Sequence, residues 1–136
     1  MINFLVKAYM RRRLKPDEIL EKIGQLEAGG QREEAQRLAA AYMAYEEEGE
    51  VPFYVEEEVP LEVARRMLSK QVRELISYIK RYEGKSISEL AKELGRSPSN
   101  VHADVGFLSR YNVVYTERQG RRVVPHLLAE ELRVEL

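Results

Sequence analysis

Ser86-Ile87-Ser88-Glu89-Leu90-Ala91-Lys92-Glu93-Leu94-Gly95, followed directly by Arg96-Ser97-Pro98-Ser99-Asn100-Val101-His102-Ala103-Asp104-Val105, is the stretch on which the reading of this chain turns. Ile87, Leu90, Ala91 and Leu94 fall on one face of a short helix, and Gly95 ends it, since glycine accepts the left-handed backbone of a helix C-terminus. Ser97 then supplies a cap and Pro98 the first position of a second helix, where a missing N–H costs nothing. Two short helices joined across so tight a turn have helix-turn-helix geometry. In the second helix Val101, Val105 and Leu108 make the inward stripe. At about 100° per residue the opposite face carries Ser99, Ala103, Gly106 and Arg110, flanked by Asn100 and His102. These side chains are small or hydrogen-bonding, as entry into a major groove requires.

Downstream, Val113-Val114-Tyr115-Thr116-Glu117, the turn Arg118-Gln119-Gly120-Arg121, and Arg122-Val123-Val124-Pro125 alternate apolar residues about a glycine, the signature of a β-hairpin. Its tip carries Arg118, Arg121 and Arg122. After a helix pair such a hairpin is a wing, whose arginines neutralise phosphates or enter the minor groove; alternatively they protect a strand edge. Upstream, Leu61, Leu68, Val72, Leu75, Ile79 and Tyr82 predict one long helix from Pro60 to Gly84. The segment Leu75 to Val124 resembles the winged helix-turn-helix domains of prokaryotic transcriptional regulators, and Val101-His102-Ala103-Asp104-Val105 is similar to the recognition helix of a group of archaeal regulators. That resemblance implies a recognition region of Arg96, Ser97, Ser99, Asn100, His102, Ala103 and Arg110, and a wing of Arg118, Arg121 and Arg122. The archaeal group often has a basic residue where this chain has Ala103. Asp104 repels phosphate unless it pairs with a base amine or a nearby Arg. For His102, a structural role and a DNA contact both stay open.

The N-terminal half reads differently. Ile2, Leu5, Val6, Tyr9 and Met10 stand at helical spacing and lead to Arg11-Arg12-Arg13, which suits a helix C-terminus; a basic arm on DNA is the alternative. Pro16, Asp17 and Glu18 start a helix with Ile19, Ile23 and Leu26 on one face, stopped by Gly29-Gly30. A second helix from Gln31 turns Ala35, Leu38, Tyr42 and Tyr45 to one side, so the two close as a hairpin. Val51-Pro52-Phe53-Tyr54-Val55 reads as an edge strand between two acidic runs, Glu46-Glu47-Glu48 with Glu50 and Glu56-Glu57-Glu58, taken as solvated surface.

Charge divides the same way. Residues 1–64 hold 8 Lys and Arg against 14 Asp and Glu, whereas residues 65–136 hold 14 against 9, so the second half is the one suited to a polyanion. With no cysteine and only His102 and His126, the chain lacks disulfides, thiol nucleophiles and Cys-ligated zinc, and no nucleophile–base pair or phosphate loop is visible. Neither a metal nor a cofactor is expected, and no catalytic residue. No apolar run reaches the roughly 20 residues of a membrane span, and the N-terminus is unlike a signal peptide, so a cytoplasmic location is expected.

The expected fold is therefore α+β and mostly helical, with residues 1–60 as an N-terminal helical extension and residues 61–136 as a winged helix-turn-helix domain. The expected function is sequence-specific binding of double-stranded DNA by a homodimeric transcriptional regulator, a repressor by occlusion. Its dimer contacts would come from the N-terminal helices, Leu61 to Leu68, and the tail residues Leu127, Leu128, Leu132, Val134 and Leu136. The alternative is a protein–protein adaptor that uses the fold as a scaffold and its acidic half to bind a partner.

Overall fold

Alternation, not helical spacing, shapes the first element. Lys7–Arg13 is a strand, β1, in which Ala8, Met10 and Arg12 are buried while Lys7 and Arg11 are exposed. The computed structural model describes residues 5–48 and 53–136, so the expectations for Ile2, for the side chains of Tyr45 to Glu48 and for Glu50 to Pro52 lie outside the described residues. Over Lys7–Arg13 the expected N-terminal helix is thus replaced by a strand. Its apolar residues fit a period of two as well as a helical one, and pairing with the C-terminal tail decides between them.

The chain continues through helices α1 (Pro16–Ala28) and α2 (Arg32–Glu48), strand β2 (Tyr54–Val59), helices α3 (Leu61–Met67), α4 (Lys70–Arg81), α5 (Ile87–Leu94) and α6 (Pro98–Arg110), and strands β3 (Val114–Gln119), β4 (Arg122–Leu127) and β5 (Ala129–Glu135). The class is α+β. One sheet has the order β2-β1-β5 and the other is the β3-β4 hairpin. β1 runs antiparallel to β5, pairing Met10 with Leu132 and Ala8 with Val134, with a register shift between Arg11 and Arg12. No helix among the described residues is long and apolar enough to cross a membrane.

Two compact units result: residues up to Arg12 together with Glu56–Leu136, and Arg13–Val55. The boundary differs from the expected one at residue 60 because β1, the most N-terminal element, is hydrogen-bonded to the most C-terminal one. Unit 2 is the expected helical hairpin. Pro16 opens α1, the Lys15 N–H donates to the Glu18 carboxylate at 2.9 Å, and Gly30 turns the chain at φ 79°. Among its described residues Ile19 and Ala35 are buried.

In unit 1 a single core joins Ala8 and Met10 of β1, Val59, Val63 and Met67, Val72, Leu75 and Ile79 of α4, Leu90 of α5, Val101, Val105 and Leu108 of α6, and Val113 and Val114. The expected long helix from Pro60 is two helices. Ser69 has an extended backbone, and its hydroxyl donates to the Arg66 carbonyl at 2.7 Å, so it ends α3 and opens α4. β2 runs through the acidic residues Glu56 to Glu58 rather than stopping before them. Alternation then sends Glu57 to the buried Arg12 and Glu56 to Arg133, so this run is ion-paired, not merely solvated. The same pairing takes Arg12 away from both a helix end and a basic arm. Leu128 is buried in the core, Leu127 and Leu132 are half-buried against it, and Leu61, Leu68, Val134 and Leu136 stay exposed.

Candidate nucleic-acid interface

Capping fixes the helix pair. The Glu89 N–H donates to Ser86 Oγ at 3.2 Å while the Ser86 N–H donates to the Glu89 carboxylate at 3.2 Å, a reciprocal box that starts α5. Gly95, at φ 64° and ψ 31°, ends the helix in the left-handed region, and the next N–H, of Arg96, returns to the Ala91 carbonyl at 3.0 Å. Ser97 Oγ accepts the Asn100 N–H at 3.3 Å, and Pro98 follows as the first residue of α6. The turn between α5 and α6 is Gly95-Arg96-Ser97.

α6 buries Val101, Asp104, Val105, Phe107 and Leu108. Ser97, Ser99, Asn100, His102, Ala103, Gly106 and Arg110 are exposed. At about 100° per residue, Ser99, Ala103, Gly106 and Arg110 lie within a stripe roughly 60° wide, with His102 on one flank and Asn100 on the other. The exposure of His102 removes its core role. Beside the start of the helix is a hollow lined by Gln71, Gly95, Arg96, Ser97, Asn100, Ala103 and Asp104.

Asp104 is the charged residue on the inner side of α6. Its carboxylate accepts from Arg96 at 2.6 Å and from Arg66 at 3.3 Å, and the Arg66 guanidinium lies 4.0 Å above the Phe107 ring. Arg96 is therefore mostly enclosed, with 17% of its side chain exposed, unlike the other expected recognition residues.

β3 and β4 pair from Val114–Leu127 to Gln119–Arg122, leaving Gly120-Arg121 as a two-residue turn, with Gly120 at φ 64°. Glycine at the first turn position suits the tight loops whose twist matches a hairpin. The three arginines then part company. Arg122 folds back, donating to the Glu89 carboxylate at 2.5 Å, the Gly84 carbonyl at 3.1 Å and Gln119 Oε1 at 3.2 Å. That guanidinium, followed by the Ser86 contacts, holds the Glu89 carboxyl down at about 2, from 4.5. Arg118 and Arg121 are exposed, and among the described residues no ion pair engages them or Arg110. At the far end of the hairpin the Val113 carbonyl accepts the N–H groups of Leu128 and Ala129 at 2.9 and 3.1 Å, tying the strands to the end of α6.

A family model described as HVO_A0114 matches residues 67–134, half of the chain. The chain belongs to the HVO_A0114 family. The part shared with that family runs from the end of α3 into β5 and so includes the α5-α6 pair and the β3-β4 hairpin; unit 2 lies outside it. No curated protein and no solved structure matches the chain.

Of the ten residues singled out in the sequence, Ser99, Asn100, His102, Ala103 and Arg110 share the exposed side of α6, Ser97 is exposed as the cap at its start, and Arg118 and Arg121 stand at the hairpin tip. Arg96 and Arg122 are held by carboxylates of the HVO_A0114 segment itself. Two participants were missed. Arg66 shares Asp104, and Gln71 lines the hollow beside α6. The only trace of Arg66 in the sequence is its place in the basic last turn of α3, a signal too common to single it out.

Proposed function

We propose that unit 1 is a winged helix-turn-helix domain that binds double-stranded DNA, and that the chain is a sequence-specific transcriptional regulator, a repressor by occlusion. The observation that carries this reading is the stripe of small and hydrogen-bonding residues on α6, exposed on a helix whose other side is locked into the core. A helix can enter a major groove about 12 Å wide only if its leading face is slim and offers donors and acceptors to base edges. The hairpin adds Arg118 and Arg121, which face solvent as phosphate ligands must. Charge separates in the same sense, since residues 13–55 carry 5 Lys and Arg against 10 Asp and Glu, which leaves the excess of positive charge on the unit that holds α6. The working form is a homodimer, which places two reading helices about one DNA turn apart; the exposed Leu61, Leu68, Val134 and Leu136 of unit 1 are its contact residues.

The test is fluorescence anisotropy with labelled duplexes, including the DNA upstream of the chain's own gene, titrated across salt. Preference for one duplex and affinity that falls steeply with salt support the reading. Absence of binding to any duplex at low salt overturns it. The second reading, an adaptor, draws on the acidic unit 2 with its exposed Leu20 and Met43, and predicts a basic protein partner in place of DNA.

A further inference from the structure

Within the DNA-binding reading, on which this rests, we infer that Asp104 is a positioning residue that withholds Arg96 from the polyanion, so that α6 reads bases against a low electrostatic background. Arg96 stands in the turn directly before α6, beside the hollow that Ser97, Asn100 and Ala103 line, where a phosphate flanking the groove would approach the helix N-terminus. A free arginine there would grip any duplex equally, because phosphate contacts carry no sequence information. Instead the guanidinium is turned inward. It donates to Asp104 at 2.6 Å, only 17% of the side chain is exposed, and its Nη1 is buried with no hydrogen-bond partner. An arginine nitrogen left unsatisfied is unfavourable. Asp104 compensates by drawing the group in.

The same carboxylate accepts from Arg66, whose guanidinium is held on the other side by the Phe107 ring. One buried acid on the reading helix thus engages two cations, one from the turn and one from α3. The arrangement sets two classes of arginine apart. Arg110, Arg118 and Arg121 are open to solvent with no ion pair among the described residues, Arg66 is half exposed but paired with Asp104, and Arg96 is both paired and enclosed. What remains on the leading face of α6 before Arg110, namely Ser99, Asn100, His102, Ala103 and Gly106, holds no Lys, Arg, Asp or Glu, and discrimination there falls to hydrogen bonds and shape.

The experiment is the salt dependence of affinity for a duplex of unrelated sequence, measured by anisotropy for the full chain and for Asp104→Asn, Arg96→Gln and the double variant, with thermal melts to confirm folding. Each phosphate contact adds about 0.9 to the slope of log affinity against log salt. Asp104→Asn is expected to steepen the slope by at least about 0.9 and to tighten binding to the unrelated duplex. Arg96→Gln alone leaves the wild-type slope unchanged. In the double variant the steepening falls back by about 0.9, because the liberated arginine is gone. A merely structural Asp104 would lower the melting temperature without moving the slope. Unchanged slopes in Asp104→Asn, or a shallower slope in Arg96→Gln alone, overturn this inference while leaving DNA binding intact. Absence of binding in every variant overturns the DNA-binding reading itself. Should Asp104→Asn fail to fold, the Arg96→Gln slope decides alone.

Discussion

Replacing Gly106 with Ala is expected to make unit 1 more stable and, under the proposed DNA-binding function, a poorer binder of duplex. Gly106 is the ninth of the thirteen residues of α6, with a helical backbone, and a Cβ built there meets nothing within 4 Å. No steric cost therefore opposes the gain in helix propensity. Glycine in a helix interior is less favourable than alanine by about 0.8–1.0 kcal/mol, mostly through the entropy of the unfolded chain. For a unit of this size that corresponds to a rise in melting temperature of roughly 4–8 °C per kcal/mol. Circular dichroism melts with matched urea titrations read the change. Gly106 lies in the middle of the exposed stripe of α6, and if that stripe enters a groove as proposed, an added methyl there holds the helix off it. Affinity for the preferred duplex is accordingly expected to fall as stability rises. A lower melting temperature would refute the placement of Gly106 on an open helix face, and a stable variant with unchanged affinity would refute its part in groove contact.

Three further outcomes follow from the geometry. Leu90→Ala, at a site with no exposed surface, is expected to cost about 2–5 kcal/mol in urea denaturation, and a loss below about 1 kcal/mol would place Leu90 outside the core. The Glu89 carboxyl is held down at about 2 by Arg122, so its stabilising contribution is complete above 4.5 and is lost as pH falls toward 2. The stability difference between the native chain and Glu89→Gln therefore shrinks across that window, and a difference independent of pH would contradict the Arg122 contact. Under the proposed DNA-binding function, Arg118→Ala and Arg121→Ala are each expected to lower the salt slope of duplex binding by about 0.9, whereas Arg122→Ala is expected to act first on stability because its guanidinium is already engaged by Glu89 and Gly84.

Local chemistry made α6 legible. Gly95, Ser97 and Pro98 are a stop, a cap and a start within four positions, and Val101, Val105 and Leu108 leave one orientation for α6. Gly120 marked the hairpin in the same way. Long-range pairing was not legible. Ala8 and Met10 accept a strand only because Val134 and Leu132 lie opposite, at the other end of the chain, and no local pattern announces that meeting. The division of the arginines was hidden for a similar reason. Arg118 and Arg122 look alike in sequence, yet successive pairs on a hairpin face opposite sides, and only one side meets Glu89. Ser69 could have been read as a cap, but Leu68 and Val72 on either side of it sustained the helical period.

Whether α6 and the hairpin tip meet DNA is decided by a two-dimensional amide NMR titration of the 15.8 kDa chain with the duplex it binds best. Perturbations are expected to concentrate at Ser99, Asn100, His102, Ala103, Gly106, Arg118, Gly120 and Arg121, with residues 13–48 little changed. Perturbations centred on α1 and α2, with α6 and the hairpin tip silent, would contradict the proposed DNA contact.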